Sequence, residues 1–321
     1  MVLEITALDC SRPVQAWLRP STHHGTVHSI FRRAINLAFD DTLIALLSAE
    51  LPHMPNGIQL STESFVPLAA RVKPGMSVRI ENGDIFIATH SKSTSFRLIC
   101  PDRSPWEPRP PVALCRWQRS CVVEHVSRLV DTFATALPSD GLAPALGVLL
   151  HREAERSVRK TPLLRVALPS LRQLASAAWC QDRAMLAMAV SRLAGLGPGL
   201  TPSGDDALGG FAAVMALLSP YLSVDGSERA WIAKLIVQEA GARTTLLSKV
   251  LLEYAALGEV AEPVGTLLMA LTLPLVEHQT VRLAAQRVLA LGATSGADTL
   301  LGIVLALHVL EGGFADDIYG Q

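Results

Sequence analysis

The stretch LTPSGDDALGGFAAVMALL, which begins at Leu200, returns in altered form as ATSGADTLLGIVLALHVL from Ala293. Laid over one another, Ser203 meets Ser295, Gly204 meets Gly296, Asp206 meets Asp298, Leu208 meets Leu300 and Gly210 meets Gly302. Each copy opens on a Ser-Gly-x-Asp loop and runs into an apolar segment of helical length. A repeat of this kind constrains the fold, because each copy is one supersecondary unit that needs a neighbour to bury its apolar face. The C-terminal part of the chain is therefore expected to contain two related helical halves, each starting its central helix from the same loop.

A helix start leaves N–H groups without partners and carries a partial positive charge, so Ser or Asp caps it, or an anion occupies the same place. If the two loops face each other, their donors converge on one pocket suited to a phosphate, carboxylate or amide. The aspartates complicate a phosphate reading: they already satisfy the dipole and repel a bare phosphate unless a metal or an arginine intervenes. Adjacent helical residues point about 100° apart, so Asp205 and Asp206 are expected to have divided roles. Asp206 has a counterpart in Asp298, whereas Asp205 is replaced by Ala297. Asp206 and Asp298 are thus the candidates for ligand contact, with Asp205 a cap or a water-mediated metal contact; the cofactor is open, with a divalent metal placed at Asp205 or Asp206. Gly197, Gly199, Thr201, Ser203, Gly204 and Asp205 of the first loop, and Thr294, Ser295 and Gly296 of the second, are the candidate substrate-binding positions. The structural reading stands beside this one, since Ser-x-x-Asp is an ordinary capping pattern. In the first copy the glycines and prolines from Gly195 to Gly204 exceed what a cap requires, which favours a site there. The loop lacks the GK[ST] of a phosphate-binding P-loop and follows no clear strand as a dinucleotide fingerprint would.

The remainder divides by period. From about 25 to 100 the signals are strands and turns: VRIENGDIFIAT alternates around Asn82-Gly83, which accepts the positive φ angles of a tight hairpin. GTVHSIFRRAINLAF and TLIALLSAEL flank Asp40-Asp41 as a second hairpin, and NGIQLS is a further strand; residues 31 to 48 also admit a helix, because their apolar residues crowd without clean alternation. The segment PDRSPWEPRPP holds five prolines and reads as a linker. Beyond it, helical spacing recurs near 118–136, 143–158, 181–195, 227–240, 243–258, 262–272 and 279–290. The expected fold class is α+β: residues 1–100 a β-rich domain (small barrel or sandwich), 101–112 a Pro-rich linker, and 113–321 a larger all-α domain with an internal repeat.

Composition excludes several function classes. A formal charge of −1 across 321 residues gives no overall field to attract nucleic acid or an acidic membrane. The five cysteines (Cys10, Cys100, Cys115, Cys121, Cys180) show no CxxC spacing and suit a reducing cytoplasm. The start MVLEITALDC has no basic residue ahead of an apolar run, so it does not read as a signal peptide. The uncharged run from Ala207 to Val224 is broken by Gly209, Gly210 and Ser219-Pro220, and reads as a buried core helix rather than a membrane span.

Other residues carry weaker signals. ARTTLLSK sets Arg243, Thr244, Thr245 and Ser248 at a helix start, with Thr244 and Ser248 on one face and Arg243 able to fork onto a carboxylate or phosphate; a Thr cap beside a solvated arginine fits equally. His23, His24 and His28 lack acidic or cysteine ligands at a recognised spacing and read as a surface cluster. Cys121 and His125 share a helix face, read as a buried thiol beside a histidine rather than a dyad. HREAERSVRK, 151–160, is a solvated helix end or, through Arg152, Arg156 and Arg159, a contact surface for another protein.

At GLGPGLTPSGDDALGGF the sequence resembles the AllH-type family, formerly a domain of unknown function and associated with oxamate carbamoyltransferase of anaerobic allantoin breakdown. VHSIFRRAINLAF, PNGIQL, ARTTLLSKVLLEYAALGE and GATSGADTLLGI extend the resemblance over most of the chain. It implies a subunit acting with two larger subunits, converting oxalurate and phosphate to oxamate and carbamoyl phosphate, which a carbamate kinase uses to make ATP. On that chemistry Asp206, Asp298 and Arg243 are the candidate catalytic residues: helix-start N–H groups near Ser203 and Ser295 for the oxyanion, Arg243 for phosphate, and Asp206 or Asp298 to orient the ureido N–H groups. The family's pattern is incomplete at Ala297, where a second full site would need the counterpart of Asp205. The alternatives are a non-catalytic scaffold or small-molecule-sensing subunit, and a metal-dependent amide hydrolase, the latter without a His-rich ligand set.

Overall fold

The computed structural model describes residues 2–19, 22–88, 95–101, 104–112, 119–133, 140–150, 161–223, 228–274 and 276–312; of 119–121, 123 and 131–133 it describes the backbone alone. The chain divides into two compact units, one of residues 1–108 with 260–262, the other of 109–259 with 263–321.

The first unit is a nine-stranded sheet built from β1 (Val2–Thr6), β2 (Asp9–Cys10), β3 (His23–Ile30), β4 (Ala34–Phe39), β5 (Thr42–Ser48), β6 (Gly57–Leu60), β7 (Ser77–Glu81), β8 (Asp84–Ala88) and β9 (Ser95–Ile99). Their order is β1-β9-β8-β7-β3-β4-β5-β6-β2, antiparallel except for the β1/β9 and β5/β6 pairs. The two edge strands are consecutive in the chain, joined only by Ala7 and Leu8. The Ala7 N–H donates to Ile99 O (3.0 Å) and the Leu8 N–H to Gln59 O (2.8 Å), so adjacent residues touch opposite ends of the sheet. A residue spans at most about 3.6 Å, and the sheet must therefore curl back on itself, which favours the barrel over the sandwich. Its interior is filled by Val27, Ile35, Leu37, Ile44, Leu46, Val78, Ile80, Ile85, Ile87 and Leu98.

Both expected hairpins are present. Asn82 (φ 54°) and Gly83 (φ 86°) make the β7–β8 turn, and Asp40 (φ 46°) makes the β4–β5 turn. The helical alternative for residues 31–48 is overturned: β4 and β5 occupy 34–48, and GTVHSIFRRAINLAF is itself two strands, with a bulge near His28. The missing alternation has a physical cause, since β5 is buried on both faces, Leu43, Ala45 and Leu47 as fully as Ile44 and Leu46. The sheet also begins earlier than expected, at Val2, and carries two short helices, α1 (Arg12–Leu18) and α2 (Thr62–Ala69), capped by Ser11 and Ser61. Within the Pro-rich segment Trp106 is anchored, its N–H donating to Cys10 O and its carbonyl accepting from Arg12 N, both 2.9 Å.

The second unit is helical: α3 (Arg119–Phe133), α4 (Ala145–Leu149), α5 (Pro162–Cys180), α6 (Arg183–Leu193), α7 (Ser203–Leu222), α8 (Trp231–Ala240), α9 (Leu246–Ala256), α10 (Glu262–Thr272, whose first residue goes with the β unit), α11 (His278–Leu289) and α12 (Ser295–Glu311). The nineteen-residue α5 escapes the periodic reading because Pro162 and Pro169 look like breaks; Pro162 sits in the first turn, where its missing N–H costs nothing, and Thr161 caps it by accepting from Leu164 N at 3.2 Å. Likewise Ser219-Pro220 lies inside α7 rather than ending it. Among the described residues no helix is long and apolar enough to cross a membrane.

The centre of this unit is the crossing of α7 and α12, the repeated helices, both buried on nearly every side. The repeat is structural as well as sequential. A Cβ on Gly210 would overlap Thr299 O, and one on Gly302 would overlap Ala207 O; Ala207 and Thr299 are themselves counterparts in the alignment. Only glycine lets the backbones pass this close. The approach loops match too: Leu196 N donates to Leu193 O (3.0 Å) and Gly204 N to Leu196 O (2.8 Å), while Leu291 N donates to Val288 O and Gly296 N to Leu291 O, both 2.9 Å.

Candidate functional site

The crossing brings the two helix starts together, and each engages the other. Ser203, first residue of α7, lies beside Asp298 of α12; Ser295, first residue of α12, lies beside Asp206 of α7. Thr201 and Ser295 hydroxyls stand 3.0 Å apart across the junction. The serines do not cap their own helices, as the capping reading would have it: Pro202 and Thr294 hold the cap positions and make no side-chain cap bond. The Ser-Gly-x-Asp pattern is spent between the copies rather than within them.

Asp205 and Asp206 part company as their helical angle requires. Asp205 is 3% exposed and turned into its own half, accepting from Gly195 N (2.9 Å) through Oδ1 and from the Thr244 hydroxyl through Oδ2. Burial pushes its pKa up, opposed by Thr244, Gly195 N–H and Ser248. The ARTTLLSK segment clasps the same loop: the Thr245 hydroxyl donates to Leu200 O (2.6 Å) while capping α9 by accepting from Ser248 N (3.1 Å), and the Ser248 hydroxyl donates to Leu200 O (3.4 Å). Arg243 is exposed and its Nη1 donates to Glu239 O at 2.8 Å.

Asp206 is part-buried, and its pKa is pushed up to about 8: burial is the main cause, with the negative Asp298 and Asp205 adding to it and Ser295 and Thr201 opposing. Its Oδ2 is buried without a hydrogen-bond partner. Asp298 is fully buried, and its Oδ1 accepts two backbone N–H groups, Leu142 at 2.6 Å and Ala143 at 3.1 Å. Burial raises its pKa as well, opposed by the Ser203 hydroxyl, Leu142 N–H, Thr294 hydroxyl and Ala143 N–H. Its Oδ2 is also without a partner. An unpaired buried polar atom is expensive, and these two, one from each copy, are left open to a partner.

The candidate positions therefore separate. Thr201, Ser203, Asp206, Thr294, Ser295 and Asp298 gather at the junction of the copies. Asp205, Thr244, Thr245 and Ser248 form a clasp on the first loop, while Gly204 and Gly296 are buried against Leu193 and Val288. Gly197 packs its backbone against Ser203, and Gly199 is exposed in a positive-φ conformation. The turn Gly141–Ala143 has no place in the sequence reading; its signal was Asp140-Gly141, a turn pair, followed by Pro144.

His23 stacks on Trp17 (4.0 Å between ring centroids), and His24 and His28 are exposed on β3. His125 is buried with Nδ1 at 3.2 Å from Leu271 O; the side chain of Cys121 and the whole of 151–160 lie outside the described residues. Among the described residues no group of three or more His, Cys, Asp or Glu is gathered to hold a metal ion.

Two family models match the chain. One, described as oxamate carbamoyltransferase subunit AllH, covers residues 193–307 and so contains both loops and the α7–α12 crossing. The other, described as the AllH family N-terminal domain, covers residues 6–99, the curled sheet. No solved structure matches the chain.

Proposed function

Since the chain belongs to the AllH family, whose model is described as an oxamate carbamoyltransferase subunit, we propose that it works in a cytoplasmic complex with two larger subunits, exchanging a carbamoyl group between oxalurate and phosphate. The observation that supports a direct part in this chemistry is the junction of the two repeat copies, where Asp206 and Asp298 each keep a buried oxygen without a donor. Oxalurate carries both ureido N–H groups and a carboxylate, so it offers a partner to a buried carboxyl oxygen in either protonation state. The reaction also needs donors for a developing oxyanion. Gly204 and Gly296 N–H groups are already given to Leu196 O and Leu291 O, so this role falls to the N–H groups of Ser203 and Ser295. Arg243 abuts the first loop through its carbonyl, which lies against Gly195; it takes phosphate on leaving the Glu239 carbonyl. Thr244, Thr245, Ser248 and Asp205 hold the loop in place.

Titrating the purified chain calorimetrically with oxalurate, phosphate and carbamoyl phosphate, alone and with its partner subunits, tests this reading. Binding of at least one is expected, weakened at least tenfold in Asp206→Ala or Asp298→Asn. Absence of heat with every compound in every combination would favour the scaffold reading instead.

A further inference from the structure

The two aspartates at the junction are equivalent in the repeat, yet one of them receives backbone donors as well as hydroxyls. Asp298 Oδ1 receives the N–H groups of Leu142 and Ala143. A backbone N–H only donates, so it favours the ionised carboxylate. Hydroxyls approach both carboxyls, Ser295 and Thr201 at Asp206, Ser203 and Thr294 at Asp298, so what separates the two is the pair of backbone N–H groups on Asp298. A hydroxyl donates or accepts, and it serves a protonated acid as well as a carboxylate. Among the described residues Asp206 has no counterpart to the Gly141–Ala143 turn. Gly141 itself stands against Asp298, at φ 78°, so close that a Cβ would lie 2.7 Å from both carboxylate oxygens.

We propose that the Gly141–Ala143 turn breaks the symmetry of the pair, fixing Asp298 as the charged acceptor and leaving Asp206 as the proton-bearing donor. The site then takes a small ligand that offers an N–H to Asp298 and an anionic oxygen to Asp206. Amide-carboxylates and acylureas have that pattern, as do carbamoyl phosphates. The inference rests on the functional reading above for the ligand, but the division of the proton stands on the structure of the site. It also removes an obstacle to anion binding, because the junction then carries one negative charge from this pair instead of two. The upward displacement of Asp206 to about 8, driven by burial and by the charges of Asp298 and Asp205, agrees with this division. Pairs whose environments separate their proton affinities are how carboxylates share acid and acceptor roles elsewhere.

Infrared spectra of the full chain at pH 7 read the proton directly through the carbonyl stretch of a protonated carboxyl group. The band is expected in the wild type, absent in Asp206→Asn and retained in Asp298→Asn, with a lower titration midpoint because the neighbouring charge is gone. In Gly141→Ala the added Cβ displaces Asp298 from its N–H groups, and a second protonated carboxyl should appear. A band that survives Asp206→Asn but vanishes in Asp298→Asn, or no band at all in the wild type, would overturn the division whether or not Gly141→Ala folds. Oxamate, which carries an amide N–H and a carboxylate, probes the ligand. Wild-type affinity should fall about tenfold per pH unit above 8, while Asp206→Asn, whose amide still donates, should bind independently of pH in that range. Identical pH profiles for the two would refute the donor role. Failure of oxamate to bind at any pH would sink the ligand class and the functional reading together, and the infrared result would still decide where the proton resides.

Discussion

Replacing Asp206 with Asn should change how stability depends on pH more than it changes stability itself. In the folded chain Asp206 holds its proton up to about pH 8, against an ordinary 3.8. The unfolded chain releases that proton near pH 4, so raising the pH between about 4 and 8 favours the unfolded state, and the drain stops above the folded value. Four pH units at 1.36 kcal/mol each set a ceiling of about 5 kcal/mol. Asp206 is only part-buried, and solvent and relaxation reduce this to roughly 2–3 kcal/mol. At about 2–4 °C per kcal/mol for a unit of this size, the wild type should lose about 5–10 °C of Tm on this account between pH 5 and 9. Asn has the same shape and never ionises. Scanning calorimetry at fixed ionic strength should show the two proteins close together at pH 5, with the variant higher by about 5–10 °C at pH 9. Asp205 and Asp298, also displaced upward by burial, leave a residual slope of the same sign in both. Parallel Tm curves, or a variant less stable than wild type at pH 9, would refute the reasoning.

Thr244→Val removes the hydroxyl donor from Asp205 Oδ2 and should cost about 1–3 kcal/mol, measured by denaturant unfolding; a neutral result would mean Asp205 finds another partner. Gly210→Ala and Gly302→Ala each force a Cβ into a carbonyl of the other helix and should cost about 1–3 kcal/mol or more. Because both are relieved by the same separation of α7 from α12, the double variant should lose less than the sum; strict additivity would argue against one shared crossing. Gly83→Ala meets open space but a φ of 86°, so the hairpin should weaken by about 1 kcal/mol in the same assay, without any change in ligand binding.

Legibility followed the range of the interactions. The Asn82-Gly83 and Asp40-Asp41 turns are local, and the sequence shows them. Helices α7 and α12 could be read because the same residues recur, and recurrence survives burial on all sides, which erases amphipathic period. Strand β5 lost its alternation to burial on both faces, and α5 was hidden by prolines that its first turn and its interior tolerate. The pairing of Asp206 with Asp298 could be anticipated from the repeat. What could not was the exchange of serines between the copies, since a Ser-x-x-Asp pattern looks the same whether it caps its own helix or serves another. The contact of Leu142 and Ala143 with Asp298 spans more than 150 positions and uses backbone N–H groups, which every residue but proline carries. No side-chain pattern announces such a contact.

A crystal structure of the full chain soaked with oxamate and phosphate tests the central claim most directly. Density touching both Asp206 and Asp298, between the starts of α7 and α12, is the predicted result. Density elsewhere on the chain, or the two helix starts closed on each other with the ligand excluded, would contradict it.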